Sequence, residues 1–208
     1  MRTLSLATAL VVALAGCQQQ AATDAPMAAT DPSPATSPAT GAVVSTAPAD
    51  AGALPVVEAA SQASFAGYGD MKLGSTVEEA RLAWAGDLNG KPTEGSTCYY
   101  LSPKWVKAPS DFAFMIEDGK FVRYDVGTDK EAAPGGGKVG MTTDALQKLY
   151  RNSLQSSPHK YVEGGSYLSL DDAEGSSSKL VFETDAAGKV TAWRVGLAPQ
   201  ADYVEGCS

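Results

Sequence analysis

The sequence has few of the side chains from which common catalytic or nucleic-acid-binding sites are built. Its 208 residues include one histidine and three cysteines, and 24 Asp and Glu residues outnumber 16 Lys and Arg residues. The net charge of −8 argues against nucleic acid as a partner, because binding to nucleic acid requires clustered basic side chains. We therefore expect no nucleic-acid partner.

Catalytic motifs are also missing. His159 is the only histidine, and it lies in a segment, 156–161, that is typical of a loop before a strand. No Gly-x-Ser-x-Gly or Cys-x-x-Cys motif is present. The glycine-rich run 135–142 lacks the spacing of a phosphate-binding loop, and the acidic run 171–175 lacks the alternating ligands of a calcium loop. The sequence predicts a protein that is not an enzyme, with no catalytic residue, metal or cofactor.

Aromatic residues are absent before Phe65, so a packed core is possible only from about residue 64 onward. After Cys17, residues up to 63 contain no aromatic residue, Lys or Arg, but six of the 12 prolines. Such a segment buries too little apolar surface to offset its chain entropy. We predict that residues 17–63 are a disordered tether rich in Ala, Thr, Pro and Ser, and that residues 64–208 form the folded domain.

Residues 1–16 have the pattern of a secretory signal peptide: Arg2, then an apolar stretch too short to span a bilayer, then small residues. The end of this stretch, Leu-Ala-Gly before Cys17, resembles the bacterial lipobox. That resemblance implies that Cys17 becomes the first mature residue and carries lipid, including palmitate. Gln18 rather than Asp after the cysteine implies an outer-membrane anchor, with the protein facing the periplasm. The alternative is an ordinary secretory signal with a chance cysteine.

The part of the sequence that is expected to fold contains two segments that are similar to each other. The sequence KLGST at 72–76 matches KVGMT at 138–142, and each match precedes a stretch with helical periodicity and then β-rich runs separated by glycine-containing turns. This predicts an α+β fold of two tandem helix–β-hairpin repeats, about 67–128 and about 134–197, with a C-terminal tail at 198–208. The repeats would share an antiparallel sheet with helices on one face. The alternative is a chance similarity, because any α+β domain can show one.

This pattern resembles the tandem repeat of β-lactamase-inhibitor-type proteins and the related small lipoprotein of the outer-membrane β-barrel assembly machine. The resemblance covers roughly residues 70–200 and implies a noncatalytic protein-binding fold whose concave sheet face meets the partner. No binding residue of those families aligns with a particular position of this sequence.

Two cysteines remain if Cys17 is lipidated. In an oxidising compartment this number suits one disulfide, Cys98–Cys207, which would tie the C-terminal tail to a strand of the first repeat. The alternative is a free reactive or metal-binding pair.

Four strand aromatics are the candidate binding face: Tyr99, Tyr124, Tyr167 and Trp193. About half of the strand aromatics should face away from the helices, where they would suit a protein partner or sugar rings; the alternative is that most are core residues. We therefore predict a lipid-anchored envelope lipoprotein that binds a protein in envelope assembly or inhibition. The alternative is a lectin-like module for peptidoglycan or polysaccharide. A broad apolar and charged face would favour the first, and a narrow groove with stacked Trp or Tyr the second.

Overall fold

The computed structural model describes residues 61–207. The signal peptide, Cys17 and the predicted tether up to residue 60 lie outside the described residues. Ala63, which the sequence assigned to the tether, already lies in a strand and is buried.

Antiparallel strands dominate the described part of the chain. A three-stranded sheet in the order β1-β2-β3 precedes an eight-stranded sheet in the order β4-β5-β6-β7-β11-β10-β9-β8. The strands are β1 (Ala63–Ser64), β2 (Gly67–Tyr68), β3 (Met71–Lys72), β4 (Leu88–Asn89), β5 (Cys98–Pro103), β6 (Phe112–Glu117), β7 (Lys120–Val126), β8 (Gln155–Pro158), β9 (Ser166–Asp171), β10 (Ser178–Thr184) and β11 (Val190–Leu197).

The two helices are short, and their starts are set by threonine caps. Helix α1 (Val77–Trp84) begins after Thr76, whose hydroxyl accepts from the Glu79 amide while the Glu79 carboxylate accepts from the Thr76 amide. Helix α2 (Thr143–Leu149) begins after Thr142, whose hydroxyl accepts from the Ala145 amide at 3.2 Å.

The predicted fold class, α+β with helices on one face, was wrong. The described residues form eleven strands in two antiparallel sheets and only two α-helices, of eight and seven residues. The small sheet β1–β3 was not predicted, because its two-residue strands are too short to show an alternating pattern.

The two halves of the large sheet are arranged alike. From the central strands β7 and β11 outward, the strands of each half follow in reverse order along the chain. Antiparallel pairing of β7 with β11 joins two four-strand meanders, and each meander follows one of the two helices. Isolated bridges Thr76–Lys120 and Thr142–Lys189 occupy the same place in each half. A duplicated origin of the two halves remains a prediction.

One face of the large sheet, the core face, is covered by the main apolar core. Buried Tyr68 of the small sheet, Ala80 of α1 and Leu146 of α2 belong to the same cluster as the sheet residues. The members contributed by the central strands are mainly aromatic: Phe112, Phe114, Phe121, Tyr124, Phe182 and Trp193. This core fixes the sheet, and its other face is where polar groups converge.

Candidate functional site

The other face of the large sheet, here the tail face, is covered by the C-terminal tail, residues 198–207. The tail contains a 3₁₀ helix, Gln200–Asp202, in which Ala201 is fully buried. Its end is joined to β5 by the predicted disulfide Cys98–Cys207, with the Cα atoms 5.3 Å apart and a sequence separation of 109. Among residues 61–207 the expected pairing is therefore present.

Apolar residues beneath the tail form a second buried layer. Ala113, Met115 and Val181 are buried but lie outside the main core cluster. Met115 is paired with Arg123, and Val181 with Arg194, and directly paired residues of antiparallel strands share a face. Both arginines therefore lie on the tail face beside this layer.

Arg123 on β7 is the main anchor of the tail. Its Nη1 donates to the carbonyl oxygens of Gln200 and Tyr203 at 2.9 and 2.7 Å, and its Nη2 donates to the Tyr100 hydroxyl at 3.1 Å. The Asp125 carboxylate pairs with the same guanidinium at 2.8 Å. Burial is the largest single influence on the pKa of Arg123 and lowers it, but the charge and hydrogen bond of Asp125, together with nearby Tyr100 and Glu183, outweigh burial, so the pKa lies above its usual value. The guanidinium therefore stays charged while it holds the tail backbone.

Arg194 on β11 is a second, smaller anchor. Its Nε donates to the Ala201 carbonyl at 2.6 Å, and its Nη1 pairs with the Glu183 carboxylate on β10. The guanidinium also lies 5.8 Å from the centre of the Tyr167 ring. Each buried arginine is thus paired with a carboxylate and donates to at least one tail carbonyl, which accounts for its burial.

His159 contributes to the same network as a structural residue. Its ring stacks on Tyr167 with centroids 4.4 Å apart, and its Nε2 lies 3.6 Å from Glu183. Nδ1 accepts from the amides of Tyr161 and Val162, both at 3.1 Å, so its lone pair is occupied. Within residues 61–207, no Ser, Thr or Cys side chain contacts the ring as a nucleophile would.

A cleft of about 310 Å³ remains between the tail and the sheet. Carboxylates of Asp125, Glu183 and Glu205 line it, together with Tyr100 and the two arginines. Burial, with the nearby Asp125 charge, raises the pKa of Tyr100 to about 12, so its hydroxyl stays protonated at neutral pH. The cleft is large enough for a protruding side chain but offers no nucleophile–base pair.

An exposed surface of mixed character borders this cleft, and we name it the tail patch. Tyr161 is 59% exposed and Val162 is 37% exposed. Lys160 and the hydroxyl of Tyr161 both contact the Glu205 carboxylate, the former at 2.7 Å. The tail patch consists of Lys160, Tyr161, Val162, Tyr203, Val204 and Glu205.

The four aromatics predicted to form a binding face are not brought together. Tyr124 and Trp193 are fully buried, with rings 6.0 Å apart on the core face, and the Tyr124 hydroxyl donates to the Ser64 carbonyl at 2.8 Å. Tyr99 is paired with buried Ile116 and packs against the same core. Tyr167 is half-buried on the tail face. The prediction of one exposed aromatic face was wrong.

Sequence reasoning missed the two arginine anchors. A usable signal was present, because Arg123 and Arg194 each interrupt an apolar strand, and a charge in such a position requires partners.

No group of three or more His, Cys, Asp or Glu side chains within residues 61–207 is placed to hold a metal ion.

Among the described residues, neither helix has the length and apolar character needed to cross a bilayer.

No protein-family model and no curated protein matches the chain. Two solved structures are similar in shape. An extracellular protein containing an SCP domain from Bacillus anthracis str. Ames aligns over 61% of this chain and 44% of its own length, at 13% identity and a TM-score of 0.39. The uncharacterized protein YfeY from Escherichia coli aligns over 65% of this chain and 99% of its own, at 16% identity and a TM-score of 0.42. Likeness at this level assigns neither family nor function.

Proposed function

We propose that this chain is a noncatalytic binding module of the bacterial envelope, and that a protein partner docks on the tail patch. The observation that carries the proposal is the composition of this surface: exposed Tyr161 and Val162 beside the Lys160–Glu205 ion pair, at the mouth of the cleft. Apolar and aromatic contacts surrounded by a polar rim are typical of protein interfaces.

The tail patch is also held rigid before any partner arrives. Arg123 and Arg194 fix three carbonyls of the tail, and the Cys98–Cys207 disulfide fixes its end. A surface that is already ordered loses less conformational entropy on binding, so more of its contact energy appears as affinity.

The tail patch differs from the surface that the family resemblance implied. In the β-lactamase-inhibitor-type repeat, the implied partner surface is the concave sheet face itself. Here the tail covers the middle of the tail face, and Ala113, Met115 and Val181 are buried beneath it. Our proposal therefore uses the outer surface of the tail and the cleft mouth, and the family resemblance itself remains a proposal.

The proposed location is the outer membrane, on the periplasmic side, through lipid on Cys17. It is supported by the lipobox-like residues before Cys17 and by Gln18 after it. Mass spectrometry of the native protein tests it directly. An acylated N-terminal Cys17 is expected, whereas an unmodified N-terminus or a retained leader would reject the location.

Partner binding is tested by in-cell photo-crosslinking with a photoreactive residue at Val162 of the full-length chain. We expect a defined protein adduct that is lost on adding Tyr161→Ala and kept on adding Leu82→Ala. Leu82 is the matched control because it is an exposed apolar residue, 81% accessible, on α1. Crosslinks that are indifferent to Tyr161→Ala, or capture of glycan with no protein, would reject this function.

A further inference from the structure

Trp105, in the loop between β5 and β6, is an exposed tryptophan that the proposed function does not use. Trp105 is 64% accessible, and its ring lies nearly parallel to that of buried Phe112, with centroids 6.0 Å apart and an interplanar angle of 16°. Exposing so large an apolar ring to water is unfavourable, and nothing within residues 61–207 covers its outer face.

The loop that carries Trp105 is held in place by its own backbone. The Val106 amide donates to Pro103 at 3.0 Å, and the Asp111 amide donates to Ala108 at 2.9 Å. At the end of β7 the Gly127 amide donates to Asp111 at 3.0 Å, and a side chain at Gly127 would lie 2.2 Å from the Ser110 carbonyl oxygen. The backbone that carries Trp105 is therefore held in place, and the stacking on Phe112 supports one side of the indole ring.

A cavity of about 280 Å³ opens beside the indole ring. This volume lies near the lower limit of small-ligand sites, roughly 300 Å³. Besides the aromatic wall of Trp105 and Phe112, its lining consists mainly of polar side chains: Lys107, Asp111, Thr128, Lys130 and Glu131.

Four of these five polar side chains are available to a ligand. Within residues 61–207, the side chains of Lys107, Asp111, Thr128 and Lys130 make no hydrogen bond or ion pair, while Glu131 interacts with the Tyr68 hydroxyl. Two ammonium groups donate, two carboxylates accept, and the threonine hydroxyl does both. The charges balance, so the cavity does not select strongly for an anion or a cation.

From this arrangement we propose that Trp105 and its cavity form a saccharide-binding subsite. A pyranose ring has one face of C–H groups, which packs on an aromatic ring, and an edge of hydroxyl groups, which need both donors and acceptors. The site offers these two surfaces side by side. A purely apolar ligand would desolvate two lysines and two carboxylates without replacing their hydrogen bonds.

This subsite is separate from the tail patch and does not rest on the proposed function. Its lining shares no residue with the cleft under the tail, and its aromatic platform is none of the four aromatics predicted from the sequence. Glycan binding was the alternative interpretation of the sequence. The aromatic residue proposed here to pack against the sugar is Trp105, and not one of those four aromatics.

The test uses the full-length chain on an array of immobilised pyranose oligosaccharides that includes β-1,4-linked N-acetylglucosamine chains. The best glycan is then titrated by isothermal titration calorimetry, whose heat signal does not depend on the presence of Trp105. We expect Trp105→Ala to weaken binding at least about tenfold, and Trp105→Phe to restore part of it. Leu82→Ala, which removes an exposed apolar side chain on α1 outside both sites, is the control and should bind as the wild type does.

Lys130→Met keeps the length of the side chain but removes a donor, and it is the second variant should Trp105→Ala reduce folding. We expect it to weaken binding several-fold with an unchanged melting temperature. No glycan bound on the array, equal affinity of the wild type and both Trp105 variants, or crosslinking from Trp105 to a protein instead would each overturn the subsite.

Discussion

The two faces of the large sheet are both buried, but by different chemistry. The core face is covered by aromatic rings in edge-to-face contact, such as Phe114 with Phe121 at 5.6 Å. The tail face is covered by a short segment whose carbonyls are held by Arg123 and Arg194. Hydrophobic contact is tolerant of direction, whereas these hydrogen bonds and the disulfide specify one position of the tail. The first face supplies stability, and the second face sets the shape of the outer surface.

The largest effect should come from the core face. Phe182 is fully buried, and Phe182→Ala removes a ring whose centroid lies 5.7 Å from that of Tyr150. We expect the free energy of unfolding to fall by about 3–5 kcal/mol, through lost burial and a cavity. Urea denaturation measures it. A loss below about 1 kcal/mol would mean that this face is not the main source of stability.

Removing the disulfide should have the next largest effect. The double variant Cys98→Ser, Cys207→Ser opens a loop that spans a sequence separation of 109. The chain-entropy model predicts that the free energy of unfolding falls by roughly 4 kcal/mol or more, and typical measured losses are about 2–4 kcal/mol. Amide exchange should rise first in residues 200–206 and only later in β6 and β10. Uniform loss of protection would show instead that the two faces unfold together.

Replacing the anchors should separate their contributions. Arg123→Met leaves the Asp125 carboxylate and two tail carbonyls without their donor, and we expect a loss of roughly 2–3 kcal/mol, reduced from the fully buried case because Asp125 is partly exposed.

Arg194→Met is the matched comparison. It frees one carbonyl, and Glu183 still has His159 within 3.6 Å, so a smaller loss of roughly 1–2 kcal/mol is expected. Equal losses in the two variants, measured by urea denaturation, would contradict the ranking of the two anchors.

The smallest effect concerns alkaline pH. Burial raises the pKa of Tyr100, near the tail, and of Tyr150, against the core, to about 12 in each case. An unfolded tyrosine has a pKa of about 10, so the folded state keeps its protons longer. The stability that each contributes is therefore complete below pH about 10 and is lost as the pH rises toward about 12.

Tyr100→Phe and Tyr150→Phe should each make the fall in unfolding free energy over that window shallower than in the wild type. Denaturation at a series of pH values checks this. An unchanged slope in both variants would exclude the raised pKa values as the cause.

The features predictable from the sequence were local ones. The Asp118-Gly119 turn joins β6 and β7 because both residues adopt the positive φ values of 48° and 73° that a two-residue hairpin favours. Thr76 with Glu79, and Thr142, mark the helix starts through short-range hydrogen bonds. The cysteine pairing followed from there being two candidates.

Features that depend on register could not be predicted in the same way. The bulge between Met115 and Ile116 shifts which β7 residues face the core, and a second bulge follows Glu183. Counting alternate residues therefore does not place Tyr124 and Trp193 on one face or the other. The fold class failed for a related reason, since two-residue strands such as β4 leave almost no periodic signal.

The two outermost strands of the large sheet have a further consequence for molecules at high local concentration. At one border β4 is only two residues long, and at the other β8 has four exposed residues and ends at Pro158, which lacks an amide hydrogen. Very short edge strands and a proline at an edge are features by which sheets limit pairing with a strand from a neighbouring copy. The sheet thus ends in a way that opposes growth from molecule to molecule, and copies crowded together should remain separate rather than join into fibres.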